Sequence, residues 1–146
     1  MAKFKYRMQN ILELKEKLES QQKIAFSLAM AKVREEEDKL RQLLLRRGEY
    51  EKRLKEAEEG ILDLKEIAHL KTAISTMKTL IRDQMFAIKK ANEALEAERR
   101  KLDDLMKDRK THEKLREKAF DEFLKEVSYE DMKVTDEFTG FKYSKR

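Results

Sequence analysis

The sequence contains no cysteine, no proline and no tryptophan, and it has only three glycines. Without cysteine there can be no disulfide framework and no thiolate chemistry, which suits a reducing compartment. Without proline, long helices can run on, since proline costs about 3 kcal/mol inside a helix. No apolar run reaches the roughly 20 residues of a membrane-spanning helix, and the basic first residues lack the apolar core of a signal peptide. These absences predict a cytoplasmic protein built from long helices.

Charged residues are abundant instead, at 45% of the 146 residues, and the net charge is +5. This composition is typical of long helices or a coiled coil. A nucleic-acid-binding protein concentrates its basic residues on one stripe, whereas acidic residues here interrupt nearly every basic cluster. We therefore expect no nucleic-acid partner and a surface that is mainly a solvated mixture of charges.

Apolar residues recur in one seven-residue register between residues 67 and 123. One position of the repeat reads Ile67, Ile74, Ile81, Ile88, Leu95, Leu102, Arg109, Arg116 and Phe123. The other reads Leu70, Met77, Gln84, Ala91, Glu98, Leu105, His112 and Ala119. A period of 3.5 sustained this long predicts a helix that packs a narrow stripe, or seam, against another helix. The polar Gln84 within the seam is expected to fix register or pairing.

An earlier stripe supplies the partner helix. Its positions are Ile11, Leu14, Leu18, Gln22, Phe26, Ala29, Val33, Glu36, Leu40, Leu43, Arg47, Tyr50, Leu54 and Ala57. The steps are threes and fours, but three fours in a row fall between Leu14 and Phe26. Such an irregularity predicts a local phase shift of the supercoil.

A turn signal separates the two stripes. Gly60 is expected to end the first helix, and Asp63 with Glu66 three residues later has the spacing of a capping box. We therefore predict helix one over about 6–59, a turn at about 60–62 and helix two over about 63–127. So short a connection makes the helices antiparallel neighbours, and folding about residue 61 pairs residues whose numbers sum to about 123.

The predicted fold is therefore all-α: one antiparallel two-helix coiled-coil hairpin over residues 1–127. Beyond Val127 the periodicity fades. We expect residues 128–146 to form a frayed helix end followed by a flexible, disordered tail, as chain termini often do.

No constellation in the sequence predicts catalysis. His69 and His112 are far apart and have no nearby cysteine, and no glycine-rich phosphate loop occurs. The simpler interpretation of His112 is a polar residue that the seam tolerates, not a metal ligand. We expect no catalytic residue, no metal and no cofactor.

The open end of the hairpin is the more informative region. Phe4, Tyr6 and Arg7 lie there, opposite the seam positions where Arg109, His112 and Arg116 replace apolar residues. We expect this end to be loosely packed. Two readings stay open: a frayed, soluble start, or a docking tip with aromatic anchors and cations.

The opening motif also carries a family resemblance. Its residues are Phe4, Tyr6, Arg7, Met8, Gln9, Ile11, Leu12 and Leu14. This motif resembles the start of the FliJ family, the small coiled-coil proteins of the flagellar type III export apparatus, which open with F-x-[FY]-R-L-Q-x-[VL]-L. Met8 stands where the family usually has leucine. Residues 109–115 and the tail around Asp136 are also similar, so the resemblance covers nearly the whole chain.

The resemblance implies a non-enzymatic coiled coil like the central stalk of rotary ATPases, with the tip that holds both termini inserted in the hexameric ring of the export ATPase FliI. It implies further links to the export gate FlhA and to empty export chaperones. The protein would then be peripheral at the cytoplasmic face of the membrane, held there by partners without inserting itself. The implied ATPase contacts are Phe4, Tyr6, Arg7, Gln9, Arg109 and Arg116. The implied export-gate contacts are Ala73, Met77, Leu80 and Gln84.

The competing interpretation is a generic coiled-coil scaffold or spacer that dimerises through its heptad seam. A basic coiled coil for nucleic acid is weaker because of the interleaved acids, and an enzyme is weakest.

Overall fold

Two long helices make up the structure, a computed structural model that describes residues 3–144, with side chains for residues 3–138. The first helix, α1, spans Gln9–Glu59, and the second, α2, spans Leu64–Ser144. Residues 3–6 form no regular element, and the described range contains no strand. The helices pack against each other, which confirms the all-α prediction. Met1, Ala2, Lys145 and Arg146, which the sequence-based boundaries included, lie outside the described residues.

The turn lies where the capping signal predicted it. The first helix ends at Glu59 and the second begins at Leu64. The backbone N–H groups of Lys65 and Glu66 donate to Asp63 Oδ1 at 3.1 and 3.3 Å. Asp63 therefore satisfies two of the N–H groups that a helix start leaves without intrahelical partners. Ile61, in the connection, is fully exposed.

The chain forms two compact units, which we call the turn unit and the terminal unit. The turn unit comprises Gln22–Lys101. Its α1 seam, from Gln22 to Ala57, is buried or half-buried at every predicted position. The buried apolar residues of the unit are Val33, Leu70, Ile74, Met77, Ile81 and Ala91. The heptad pattern therefore identified the packed face of both helices here.

The terminal unit comprises Met1–Gln21 with Leu102–Arg146, and here the predicted seam of α1 is wrong. Ile11, Leu14 and Leu18 remain 40%, 53% and 36% exposed, whereas Leu12 and Glu19 are only 3% and 4% exposed. The packed positions of α1 begin at Leu12 and alternate steps of three and four residues, so the predicted phase shift does not occur.

Charge pairing explains this difference in the terminal unit. Lys15 Nζ lies 2.7 Å from Asp108 Oδ2, and Glu19 pairs with Arg109. Charged groups can occupy a helix contact when oppositely charged partners satisfy them there. The apolar pattern alone selected Ile11, Leu14 and Leu18 because it gave no weight to such pairs.

The C-terminal part of α2 also differs from expectation. We expected the helix to fray near Val127, but it continues to Ser144. No proline interrupts residues 128–138, and the Thr135 hydroxyl donates to the Asp131 carbonyl at 2.9 Å, one turn earlier. Every side chain described from 128 to 138 is exposed. The seam ends near Val127 although the helix does not, and the flexibility expected of this segment stays a prediction.

The cap gives a direct test of the turn. Asp63→Ala removes the acceptor of two N–H groups and should lower the free energy of unfolding by about 0.5–2 kcal/mol. Denaturant titration followed by circular dichroism measures this loss. Glu58→Ala, an exposed change at the end of α1, should leave stability nearly unchanged. Equal, negligible losses for both variants would show that Asp63 does not set the start of α2.

A second test concerns the seam of the turn unit. Ile81 is 6% exposed, and Ile81→Ala should cost about 2–5 kcal/mol because the deletion leaves a cavity. The matched control is Leu45→Ala, since Leu45 is exposed on α1. Thermal melts of the two variants should differ clearly, and coincident melts would contradict this packing.

Candidate functional site

The N-terminal segment packs an aromatic cluster against α2 in the terminal unit. The ring of Phe4 lies 5.0 Å from that of Phe120, edge to face, and 5.5 Å from that of Phe123. The rings of Phe120 and Phe123 lie 6.4 Å apart. Edge-to-face and offset aromatic pairs add stability beyond the area they bury. This end is therefore packed, and the expectation of a loose open end was wrong.

Two of the cations at this end, Arg109 and Arg116, have partners within the unit. Arg109 Nη1 donates to Glu113 Oε1 at 2.8 Å, and its Nε donates to Glu19. The pKa of Arg109 is raised, first by the Glu19 hydrogen bond and then by Glu113. Arg116 Nε donates to Gln9 Oε1 at 3.0 Å, and its guanidinium lies 5.7 Å from the centre of the Phe4 ring, within cation–π range. The positive charge of Arg109 in the expected docking tip is therefore balanced by two carboxylates of the same chain, those of Glu19 and Glu113.

A neighbouring ion pair also joins α1 to α2 in the terminal unit. Lys15 donates to the Asp108 carboxylate, and this hydrogen bond is the main reason that the pKa of Asp108 is lowered. Half-buried positions are thus filled by charge pairs where other parts of the seam carry apolar residues.

What the terminal unit offers to a partner is a shallow groove beside this cluster. It is lined by residues 3–8 together with Ala119, Glu122, Phe123 and Glu126. Arg7 and Arg116 are exposed, while Phe4, Tyr6, Gln9 and Arg109 are half-buried. The six implied ATPase-contact residues thus all lie in the terminal unit, but only the two exposed guanidiniums can make new ionic contacts without rearrangement.

Two polar atoms of the terminal unit are buried without a hydrogen-bond partner among the described residues. They are the Tyr6 hydroxyl and Nδ1 of His112. Buried polar groups are nearly always satisfied in folded proteins, so an unsatisfied one needs an explanation. The sequence did not predict that both would lie in the unit that carries the opening motif.

The implied export-gate residues lie on α2 of the turn unit but do not form one exposed patch. Met77 is buried in the seam, Ala73 and Gln84 are half-buried, and only Leu80, at 40%, is exposed. The surface available at this position is therefore Leu80 with part of Ala73.

Gln84 takes part in one of two matching polar contacts in the turn unit. Its Nε2 donates to the backbone carbonyl of Glu36 at 2.8 Å and to the Glu36 carboxylate at 2.5 Å. Gln22 Nε2 donates in the same way to the backbone carbonyl of Glu98, at 3.0 Å, and to the Glu98 carboxylate. The prediction that Gln84 fixes pairing is supported by this geometry.

These two contacts, here called the Gln–Glu locks, also define the register. On each helix the lock residues are fourteen positions apart, which is two heptads, and donor and acceptor exchange helices between the locks. Both locks join residues whose numbers sum to 120, and Lys15 and Asp108 in the terminal unit sum to 123, so the pairing lies close to the predicted value of about 123. At the locks a half-buried carboxamide must reach an acceptor, and that requirement selects the observed partners.

The Glu36 carboxylate is the most strongly perturbed group. Its pKa is lowered to about 2, mainly by the hydrogen bond from Lys32 and next by that from Gln84. Lys32 Nζ lies 2.9 Å and Lys39 Nζ 3.4 Å from Glu36 Oε1. A carboxylate held by several donors favours its ionised form. Glu36 therefore stays charged although its side chain is only 8% exposed.

Sequence reasoning missed the cross-helix partners Glu19, Asp108 and Phe120. The only signal for the ion pairs is the presence of oppositely charged residues on the two helices, and it cannot be used until the pairing of the helices is known. In residues 3–138, no group of three or more acidic, histidine or cysteine side chains is arranged to hold a metal. No helix within the described range has the length and apolar character to cross a membrane.

These features define a helical coiled-coil protein. Residues 4–146 match the family model described as "Flagellar FliJ protein". The chain therefore belongs to the FliJ family, as the opening motif indicated, and it is a component of the flagellar export apparatus. No curated protein and no solved structure gave a significant match.

The lowered pKa of Glu36 predicts a pH dependence of stability. Because the folded pKa, about 2, is below the ordinary value of 4.5, ionised Glu36 stabilises the fold above about pH 4.5. That stabilisation is lost as the pH falls from 4.5 towards 2. Glu36→Gln should therefore be less stable than the parent at pH 7, and the difference should shrink at about pH 3. Urea titrations at both pH values measure this difference in the free energy of unfolding.

The control is Glu37→Gln, a change at an exposed neighbour, which should be as stable as the parent at both pH values. If Glu36→Gln lost the same stability at both pH values, the ionic origin of the effect would be contradicted.

Proposed function

We propose that this chain is a non-enzymatic, stalk-like component of flagellar export that inserts its terminal unit into the ring of the export ATPase FliI and promotes ATP turnover. Family membership supports a role in export. The observation that carries the finer proposal is the terminal unit itself, in which two exposed guanidiniums adjoin an aromatic cluster and two unsatisfied buried polar atoms.

The physical argument concerns what such a surface can do in a ring. Aromatic and arginine side chains supply most of the binding energy at protein contacts. Arg7 is exposed beside the groove, and Arg116 is held above Phe4 by Gln9. Both are positioned to donate to carboxylates or backbone carbonyls of ring loops. A stalk changes ATP turnover only when its contacts differ among the states of the ATPase.

The same proposal assigns the link to the export gate FlhA to the surface of α2 around Leu80 and Ala73. Met77 and Gln84 would not contact the gate directly, because Met77 is buried in the seam and Gln84 is bound to Glu36. Export chaperones would bind elsewhere on the exposed helices. Such contacts would keep the protein peripheral to the membrane through its partners.

The competing scaffold hypothesis requires the seam to dimerise. In each unit, however, the seam of one helix is packed against the other helix of the same chain. A second copy would have to displace these contacts. The scaffold hypothesis is therefore less well supported than the export proposal.

Arg7→Glu tests the ATPase contact. The side chain is exposed, so helicity and melting should match the parent, while stimulation of the cognate export ATPase should collapse because a donor becomes an acceptor. The control is Arg100→Glu, whose arginine side chain is 79% exposed in the turn unit; stimulation should be retained. Parent stimulation should also fall with rising salt, since screening acts over about 8 Å at physiological ionic strength. Full stimulation by Arg7→Glu would rule out this contact.

A further inference from the structure

The terminal unit carries a second apolar stripe on α1, separate from the seam. Ile11, Leu14 and Leu18 follow one another at steps of three and four residues, as seam positions do, yet all three remain exposed. Leu12 and Glu19 occupy the contact with α2 instead. A helix with two such stripes can pack against a second helix as well as its first partner. We call Ile11, Leu14 and Leu18 the outer stripe.

A matching stripe lies on the part of α2 that extends past the seam. Leu124, Val127, Asp131 and Val134 also follow steps of three and four residues, and they lie on one face of the helix. Leu124 and Val134 are 48% and 64% exposed. A helical segment gains most of its stability from packing an apolar face. We call residues 124–138 the extension.

The extension cannot cover the outer stripe of its own chain. Phe123 contacts Phe4, and Glu126 is the last residue of α2 that lines the groove with residues 3–8, so α2 passes the N-terminal segment within the first turn of the extension. Val134 lies eleven residues beyond Phe123, about 16 Å along the helix at 1.5 Å per residue. The helix is continuous through this region, so the extension runs away from Ile11, Leu14 and Leu18 of the same chain.

The charges beside the two stripes are complementary. Residues 3–9 carry three bases and no acid, whereas residues 128–138 carry four acids and one base. Arg7 lies in the turn that precedes α1, close in sequence to Ile11, and Asp131 lies within the stripe of the extension. Opposite charges flanking apolar contacts steer and orient a helix pair. A copy of the extension therefore suits the outer stripe in both apolar spacing and charge.

We propose that a second copy of this chain covers both stripes, with the extension of each copy packed against the outer stripe of the other. Exchange of the same two surfaces gives a two-fold, closed dimer. The seam, the Gln–Glu locks and the aromatic cluster remain intact within each chain. This dimer therefore differs from one that forms by opening the seam. It covers part of the terminal unit that the proposed function places in the ATPase ring, so the free protein dimerises and the ring-bound protein does not.

Sedimentation and light scattering of the full chain over the micromolar range test the proposal. The parent should form dimers. Leu14→Glu and Val134→Glu should each raise the dissociation constant by on the order of 100-fold, since each places a charge in an apolar contact. Leu45→Glu, the same change at an exposed leucine outside both stripes, and Tyr129→Glu, on the opposite face of the extension, should dimerise like the parent.

Mixing the two disrupted variants tests the exchange itself. A mixed dimer of Leu14→Glu with Val134→Glu retains one unaltered contact, so the mixture should associate more tightly than either variant alone. Circular dichroism should show parental helicity for all variants, since the changed residues are exposed. A monomeric parent would overturn the proposal. An effect of Leu14→Glu without one of Val134→Glu would overturn it too, because it would indicate that outer stripes pack against each other.

Discussion

A carboxylate that is buried between two helices loses its hydration, so each buried glutamate needs hydrogen-bond donors from the protein. Glu36 is held by Gln84, Lys32 and Lys39, and Glu19 by Arg109. Purely apolar seams tolerate slippage by whole heptads, whereas a half-buried amide or carboxylate is satisfied in one pairing only. The polar members of the seam therefore specify the pairing of the helices more sharply than the apolar residues that are buried between them, such as Ile74 and Ile81.

The sequence predicted the helices and their approximate pairing but not the individual contacts between them, for a physical reason. Helix type, the Asp63 cap and the packed face of the turn unit follow from local rules of spacing and capping, and all are present in the structure. The individual contacts depend on which side chain reaches which acceptor on the other helix, and no local pattern contains that information. The same limit explains the terminal unit, where α1 offers two stripes and hydrophobicity alone favoured the one containing Leu14.

The sequence predicted which residues belong to the candidate site better than it predicted how they are arranged. The opening motif did mark the unit in which aromatic rings, cations and unsatisfied polar atoms come together. The charges of this unit are arranged in a way that the motif did not indicate, because Arg109 is neutralised by Glu19 and Glu113. Arg7 is exposed and can bind a partner, whereas Arg109 is already paired. Both properties depend on the fold, so the sequence alone could not distinguish the two arginines.

A protein whose described residues hold so thin a core must act through what it leaves uncovered. Packing fixes the backbone around Phe4, so the adjacent Arg7 is presented at little entropic cost when it binds. Gln9 limits the motion of Arg116 in the same way. The aromatic cluster is thus a rigid support for two exposed guanidiniums. The outer stripe adds apolar area on the same unit, so the proposed dimer and the proposed ATPase contact draw on neighbouring surfaces of one unit.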